Sequence, residues 1–205
     1  MKLRCLELGA LSTNCYLVWD EAGQALIIDP ACYPDRILTA VKEADLQVVA
    51  VVLTHAHFDH MEAAQAVCEA TGAPLCVSEG DAPAAADPNR NLSGQLMAKR
   101  MVALQADRLL REGDTLSAGS LTFTVWETPG HTPGCICLVG EDVVFSGDTL
   151  FCGSIGRTDF PGGDDMAMLR SLRRLATLPE SMAVYAGHGP ATTLGREIRT
   201  NPYMR

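Results

Sequence analysis

The sequence predicts an α/β protein in which two β-sheets pack together and carry helices on their outer faces. Three observations predict it. Short apolar runs rich in β-branched residues recur along the chain, several closed by Gly or Pro, as strands are. Between them lie segments whose apolar residues fall at i, i+3 and i+4, the helical period. No fixed repeat or low-complexity linker divides the 205 residues, a length that suits one large domain with a proper core.

The elements follow in order. Leu3–Leu8, Cys15–Trp19 and Ala25–Ile28 read as three opening strands of a meander. Pro34–Ala44 places Ile37, Leu38, Val41 and Ala44 on one helical stripe, with Pro34 in the first turn, where its missing N–H is no loss. Val48–Leu53 is a continuous apolar run, expected of a strand buried on both faces. A helix follows from about Met61 to Thr71, stopped by Gly72 and Pro74. Leu75–Ser78 is a strand, Asp81–Ser93 an irregular connection and Gln95–Leu104 a helix. Strands come next at Asp114–Leu116, Leu121–Glu127, Cys135–Val139 and Val143–Ser146. Asp165–Leu178 is an amphipathic helix, Met182–Ala186 a strand and Thr193–Arg199 a short terminal helix.

Composition narrows the function. A net charge of −9 without any basic cluster argues against nucleic acid or an anionic membrane as partner, since both demand Lys/Arg patches. The start, Met1–Glu7, shows no secretory signal, and no apolar run approaches the ~18 residues that span a bilayer. A cytoplasmic protein is expected. The eight cysteines are scattered, mostly in strand-like runs, and form no CxxC. They read as free thiols. The oligomeric state is left open.

All five histidines stand where a metal ligand would. Three lie within Thr54-His55-Ala56-His57-Phe58-Asp59-His60, while His131 and His188 each follow a glycine. Neutral imidazole and carboxylate are the usual ligands of zinc and iron. Four strand-like runs end directly in these groups or in Gly147-Asp148, at the strand ends where α/β sheets place their sites. One core histidine alone is more often structural; five of five so placed are not. His55 and His57, two apart on an extended loop, form one site with His131. Asp59, His60 and His188 form a second, and Asp148 bridges them. Paired metals ~3.5–4 Å apart suit hydrolysis. Asp148 and Asp59 are the candidate catalytic carboxylates, the first holding both metals, the second also orienting the attacking water.

Thr54–His60, with His131, Asp148 and His188 following in order, resembles the metallo-β-lactamase fold superfamily and its HxHxDH signature, across the whole chain. Gly147–Phe151, Gly156-Arg157-Thr158-Asp159-Phe160 and Gly187-His188-Gly189-Pro190 are similar to the glyoxalase II (hydroxyacylglutathione hydrolase) branch, especially its small bacterial members. The resemblance implies a four-layer αββα sandwich and two zinc ions per chain, or mixed zinc, iron and manganese, at the residues just named. It implies hydrolysis of thioesters of the S-lactoylglutathione type by a hydroxide held between the metals. The chain ends at Arg205, without room for the C-terminal helical domain that grips glutathione in longer relatives. One domain over 1–205 with permissive carrier binding is therefore expected.

The alternative is a mononuclear-iron persulfide dioxygenase, in which His55, His131 and Asp148 alone form a 2-His-1-carboxylate triad. Retention of His57, Asp59, His60 and His188 favours hydrolysis. Around the ligands two readings stay open. Arg157 either binds a substrate carboxylate or pairs with Asp159 to stiffen its loop. Asp29 either orients a ligand histidine or caps a turn.

Overall fold

In the computed structural model, which describes residues 1–96 and 101–205, two six-stranded mixed sheets lie face to face. The first runs β1 (Lys2–Leu8), β2 (Thr13–Trp19), β3 (Gln24–Ile28), β4 (Gln47–Val52), β5 (Leu75–Ser78) and β6 (Arg108–Leu110), in that spatial order. Its first three strands are antiparallel and the rest parallel. The second sheet has the order β12 (Thr192–Thr193), β11 (Ala183–Ala186), β10 (Val143–Gly147), β9 (Ile136–Val139), β8 (Leu121–Glu127), β7 (Thr115–Ala118). Only β10 and β11 pair in parallel there.

Side-chain alternation makes the layers. Tyr16 and Val18 of β2, Leu26 and Ile28 of β3, and Val52 of β4 face Phe123, Val125, Ile136, Leu138 and Phe145 of the other sheet. The intervening residues Cys15, Leu17, Ile27 and Val51 point outward, against Ile37 and Ala40 of α1 (Pro34–Glu43) and Ala64 and Val67 of α3 (Ala64–Thr71). Cys137, Val144 and Val184 do the same on the far side, beneath Met168, Leu172 and Leu175 of α6 (Asp165–Leu175) and Leu194 of α7 (Leu194–Thr200). Both sheets are thus buried on two faces, which is why their strands read as near-continuous apolar runs. The four-layer αββα architecture is the expected one. No helix among the described residues is long and apolar enough to cross a membrane.

Three local expectations need correction. The expected helix over Met61–Thr71 is broken into α2 (Phe58–Met61) and α3. The amide of Ala63 is taken by the carbonyls of Pro30 and Ala31, at 3.0 and 3.2 Å, so a loop contact replaces the helical bond at the join. The Asp81–Ser93 connection contains the single turn α4 (Ala82–Ala85). Of the expected Gln95–Leu104 helix, residues 97–100 lie outside the described residues; α5 (Ser93–Leu96) is one turn and 101–104 carry no regular structure.

A candidate dinuclear metal centre

Ligand candidates gather at one end of the sandwich because four strands stop there. β4 runs into the loop carrying His55 and His57, and α2 then presents Asp59 and His60. β8 leads to His131, β10 to Asp148 and β11 to His188. The seven sequence-predicted ligands all come together. Their donor atoms form three sets within 4.8 Å: His55, His57 and His131; His55, His60 and Asp148; and Asp59, His60 and His188. His57 Nδ1 lies 2.8 Å from His131 Nε2, and His60 Nε2 lies 3.3 Å from His188 Nε2. Asp148 sits between the groups. Its Oδ2 is 3.5 Å from the Nε2 atoms of both His131 and His188, and its Oδ1 is 3.5 Å from that of His60.

The outer nitrogens are tied down. His131 Nδ1 donates to the Arg157 carbonyl at 2.6 Å, and His188 Nδ1 to that of Leu11 at 3.0 Å. A carbonyl can only accept, so each ring keeps its Nε2 lone pair for the cluster. His60 Nδ1 is 2.9 Å from Asp29 Oδ2. Asp29 also accepts from the Thr54 amide and hydroxyl, both at 2.7 Å, so it faces a candidate ligand ring, as one of the two readings had it, and its other contacts go to the loop just past the end of β4 and not to a cap of its own turn. Thr13 donates to Asp59 Oδ2 at 2.8 Å.

Burial and charge set the protonation states. Burial, aided by the neighbouring His131 and His60 rings, pushes His57 down to about 3, and His55 falls well below its usual value for the same cause. Both are neutral, the state in which imidazole binds a metal. Burial opposes charge on His60 too, but the carboxylates of Asp59, Asp148 and Asp29 override it and raise the ring to about 10. Asp59 is driven the other way: burial works against its charge, yet His60, His188 and Thr13 hold it below the carboxylate range. Carboxylates that favour a proton on His60 favour a cation there equally.

Two atoms test whether a metal fits. His55 Nε2 and Asp148 Oδ1 are buried with no hydrogen-bond partner. A buried polar atom left unmatched costs about 1–3 kcal/mol, and such orphans in a native fold call for an ion or water. Both point into the cluster, and the donor set of imidazoles and carboxylates fits zinc or iron. Space is kept for it. A Cβ on Gly187 would strike Asp148 Oδ1 and come within 2.6 Å of the His60 ring, and one on Gly147 would strike the Thr54 hydroxyl.

Sequence reasoning missed three positioning residues. Asp81, fully buried, accepts from the Ala56 amide at 2.9 Å, the Thr132 hydroxyl at 2.7 Å and the Gly134 amide at 2.8 Å. It thereby locks the His55–His57 loop to the His131 loop; its only signal was an acid after a strand and a glycine. Asn14 donates to the carbonyls of Ala186 and Gly189 at 3.0 and 2.9 Å, and Tyr16 to that of Ala186 at 2.7 Å, pinning the His188 turn across the sandwich. Arg157 makes the pair with Asp159, through Nε and Nη2 at 2.6 Å each, and lies 4.1 Å over the Phe160 ring. Its carbonyl, not its guanidinium, is what reaches a ligand.

Against known proteins, the model described as "Metallo-beta-lactamase superfamily" matches residues 8–188. The hydroxyacylglutathione hydrolase GloC of Haemophilus influenzae is 34% identical over 208 residues, covering 100% of this chain and 98% of that protein. The crystal structure of BLEG-1, a B3 metallo-beta-lactamase, superposes with a TM-score of 0.94 at 38% identity, over 99% of each chain. TTHA1623, solved in a di-iron-bound form, gives 0.85 at 38% identity, over 98% of this chain and 99% of that one. With the superfamily model matched over residues 8–188 and a relative 34% identical across the whole chain, the chain belongs to the metallo-beta-lactamase superfamily and is a metallo-hydrolase.

Proposed function

We propose that the protein hydrolyses thioesters of the hydroxyacylglutathione type with two zinc ions per chain. His55, His57 and His131 would hold one ion, Asp59, His60 and His188 the other, and Asp148 both. The observation that carries this is the position of Asp148, one carboxylate within 3.5 Å of His131 on one side and of His60 and His188 on the other.

When bound, two adjacent cations make water nucleophilic near neutral pH and neutralise the oxyanion of an acyl transfer. The chain's own groups do the rest. Asp59, kept ionised by His60 and His188, orients the attacking water. Asp29, Leu11 and Arg157 fix the ligand rings through their outer nitrogens. Water oxygen bonds to the acyl carbon and the carbon–sulfur bond breaks; one of the water's two protons ends on the released sulfur, and the other is lost to solvent as the product acid ionises to a carboxylate. A thiol of pKa about 8.5 leaves as thiolate with little help, so no separate acid is needed. Relatedness to GloC supports the substrate class, and eight cysteines with no disulfide among them suit the cytoplasm.

The test is metal analysis of purified protein with parallel assays of S-lactoylglutathione cleavage, β-lactam cleavage and oxygen uptake on a glutathione persulfide. Two metals per chain with thioesterase activity are expected. One iron per chain, oxygen uptake and no thioester cleavage would transfer the site to the dioxygenase reading.

A further inference from the structure

Beside Asp59 the surface opens into a cavity of about 500 Å³. Its walls include Leu8, Leu11, Tyr33, Phe58 and Leu96 together with one acid, Glu62, and it meets the ligand cluster at Thr13 and Asp59. Three of these apolar side chains stand out into solvent: Leu11 at 54%, Tyr33 at 54% and Leu96 at 61% exposure. Clustered exposed apolar groups mark a binding surface rather than a folded interior. Tyr33 is also held at φ 54°, the left-handed region that a bulky residue rarely enters and that costs of order 1–3 kcal/mol.

Size and surroundings identify the group. Sites of ~300–1,000 Å³ take drug-sized ligands, far more than the few heavy atoms of a lactoyl group. On the other flank of the cluster, a smaller cavity of about 210 Å³ is lined by His57, Asp81, Pro133 and Arg90, the last an exposed cation whose Nε lies 3.8 Å from Asp87. We propose that the larger cavity is an acyl-chain subsite, and that among thioesters the enzyme prefers those whose acyl group carries a medium-length apolar chain over the short lactoyl group, with the polar carrier directed toward Arg90. This rests on the thioesterase reading of the metal cluster.

The test is a series of thioesters from acetyl to octanoyl on one carrier, with the metal-loaded enzyme. kcat/KM should rise by roughly two- to fourfold per added methylene before levelling off, the worth of a buried CH₂. Tyr33→Asn keeps a residue that tolerates the left-handed backbone and Leu11→Thr trims the opposite wall. Each should lower the octanoyl-to-acetyl ratio by at least about fivefold, with bound metal as the check on folding. A flat or falling series with active acetyl thioester would overturn the subsite and leave the thioesterase reading standing. A gradient seen only when the alkyl chain is moved to the thiol would overturn its assignment to the acyl side. Failure to cleave any thioester would remove the underlying reading itself.

Discussion

Asp29 and His60 lie 31 residues apart and meet at 2.9 Å, Oδ2 to Nδ1, with the other carboxylate oxygen on the Thr54 amide. One carboxylate thus orients a ligand ring and anchors the start of the ligand loop. Asp29→Asn keeps the size and loses the charge. Metal affinity should fall by about 10–100-fold, the usual loss when a ligand's outer partner is removed. Competition with a chromophoric chelator reads it directly, and unchanged affinity would show that the contact is structural only.

Asp148→Asn should reduce turnover by at least about a hundredfold, while the metal-free variant unfolds with nearly the stability of the metal-free parent, because the side chain sits at the cluster and not in the core. Metal content should drop below two per chain. Near-normal turnover with full metal would refute the bridging role.

Gly187→Ala places a methyl group against Asp148 and His60. Overpacking of this kind typically costs ~1–3 kcal/mol, and here the atoms in the way are the proposed ligands. The variant should fold, retain the three-histidine site and lose the second metal, which elemental analysis would show as a stoichiometry near one.

Chelation should destabilise the protein, since His55 Nε2 and Asp148 Oδ1 then stay buried and unpartnered. Metal at 100 times its Kd contributes about 2.7 kcal/mol, which for a chain of this size is roughly 5–10 °C in Tm. Calorimetry before and after chelation, and after zinc is restored, measures it. A Tm that does not move would mean that the cluster holds no metal in the native state.

Arg157→Ala removes an exposed, solvent-screened ion pair, so stability should hardly change. The Arg157 carbonyl that holds His131 remains, and metal content should too. If the guanidinium leaves Asp159 to grip substrate, KM rises by a few fold with kcat held, the pattern of lost uniform binding. An unchanged KM would leave Arg157 with the loop alone.

Much was legible in the sequence because it is written in short range. Residue type names a metal ligand, and a period of two or 3.6 names an element. The seven ligand candidates, the strands ending in them and the two buried sheets follow from such local signals. β6 did not show, since its three residues have one buried side chain, Leu110, and two exposed ones; pairing with β5 alone makes it a strand. The join at Ala63 did not show either, because its amide is claimed by Pro30 and Ala31.

What tertiary structure decided is how the ligands are held. Asn14 reaches Ala186 across 172 residues, Thr13 reaches Asp59 across 46, and Asp81 reaches Thr132 across 51. Hydrogen bonds of this kind depend on which loops the packed sheets bring to one edge, and no local pattern encodes that. The same holds for the cavity beside Asp59, whose walls come from the β1–β2 turn, the start of α1 and the helices after β4. The sequence by itself determined which side chains are candidate metal ligands; the packing of two sheets decided which way those atoms face and what stands beside them.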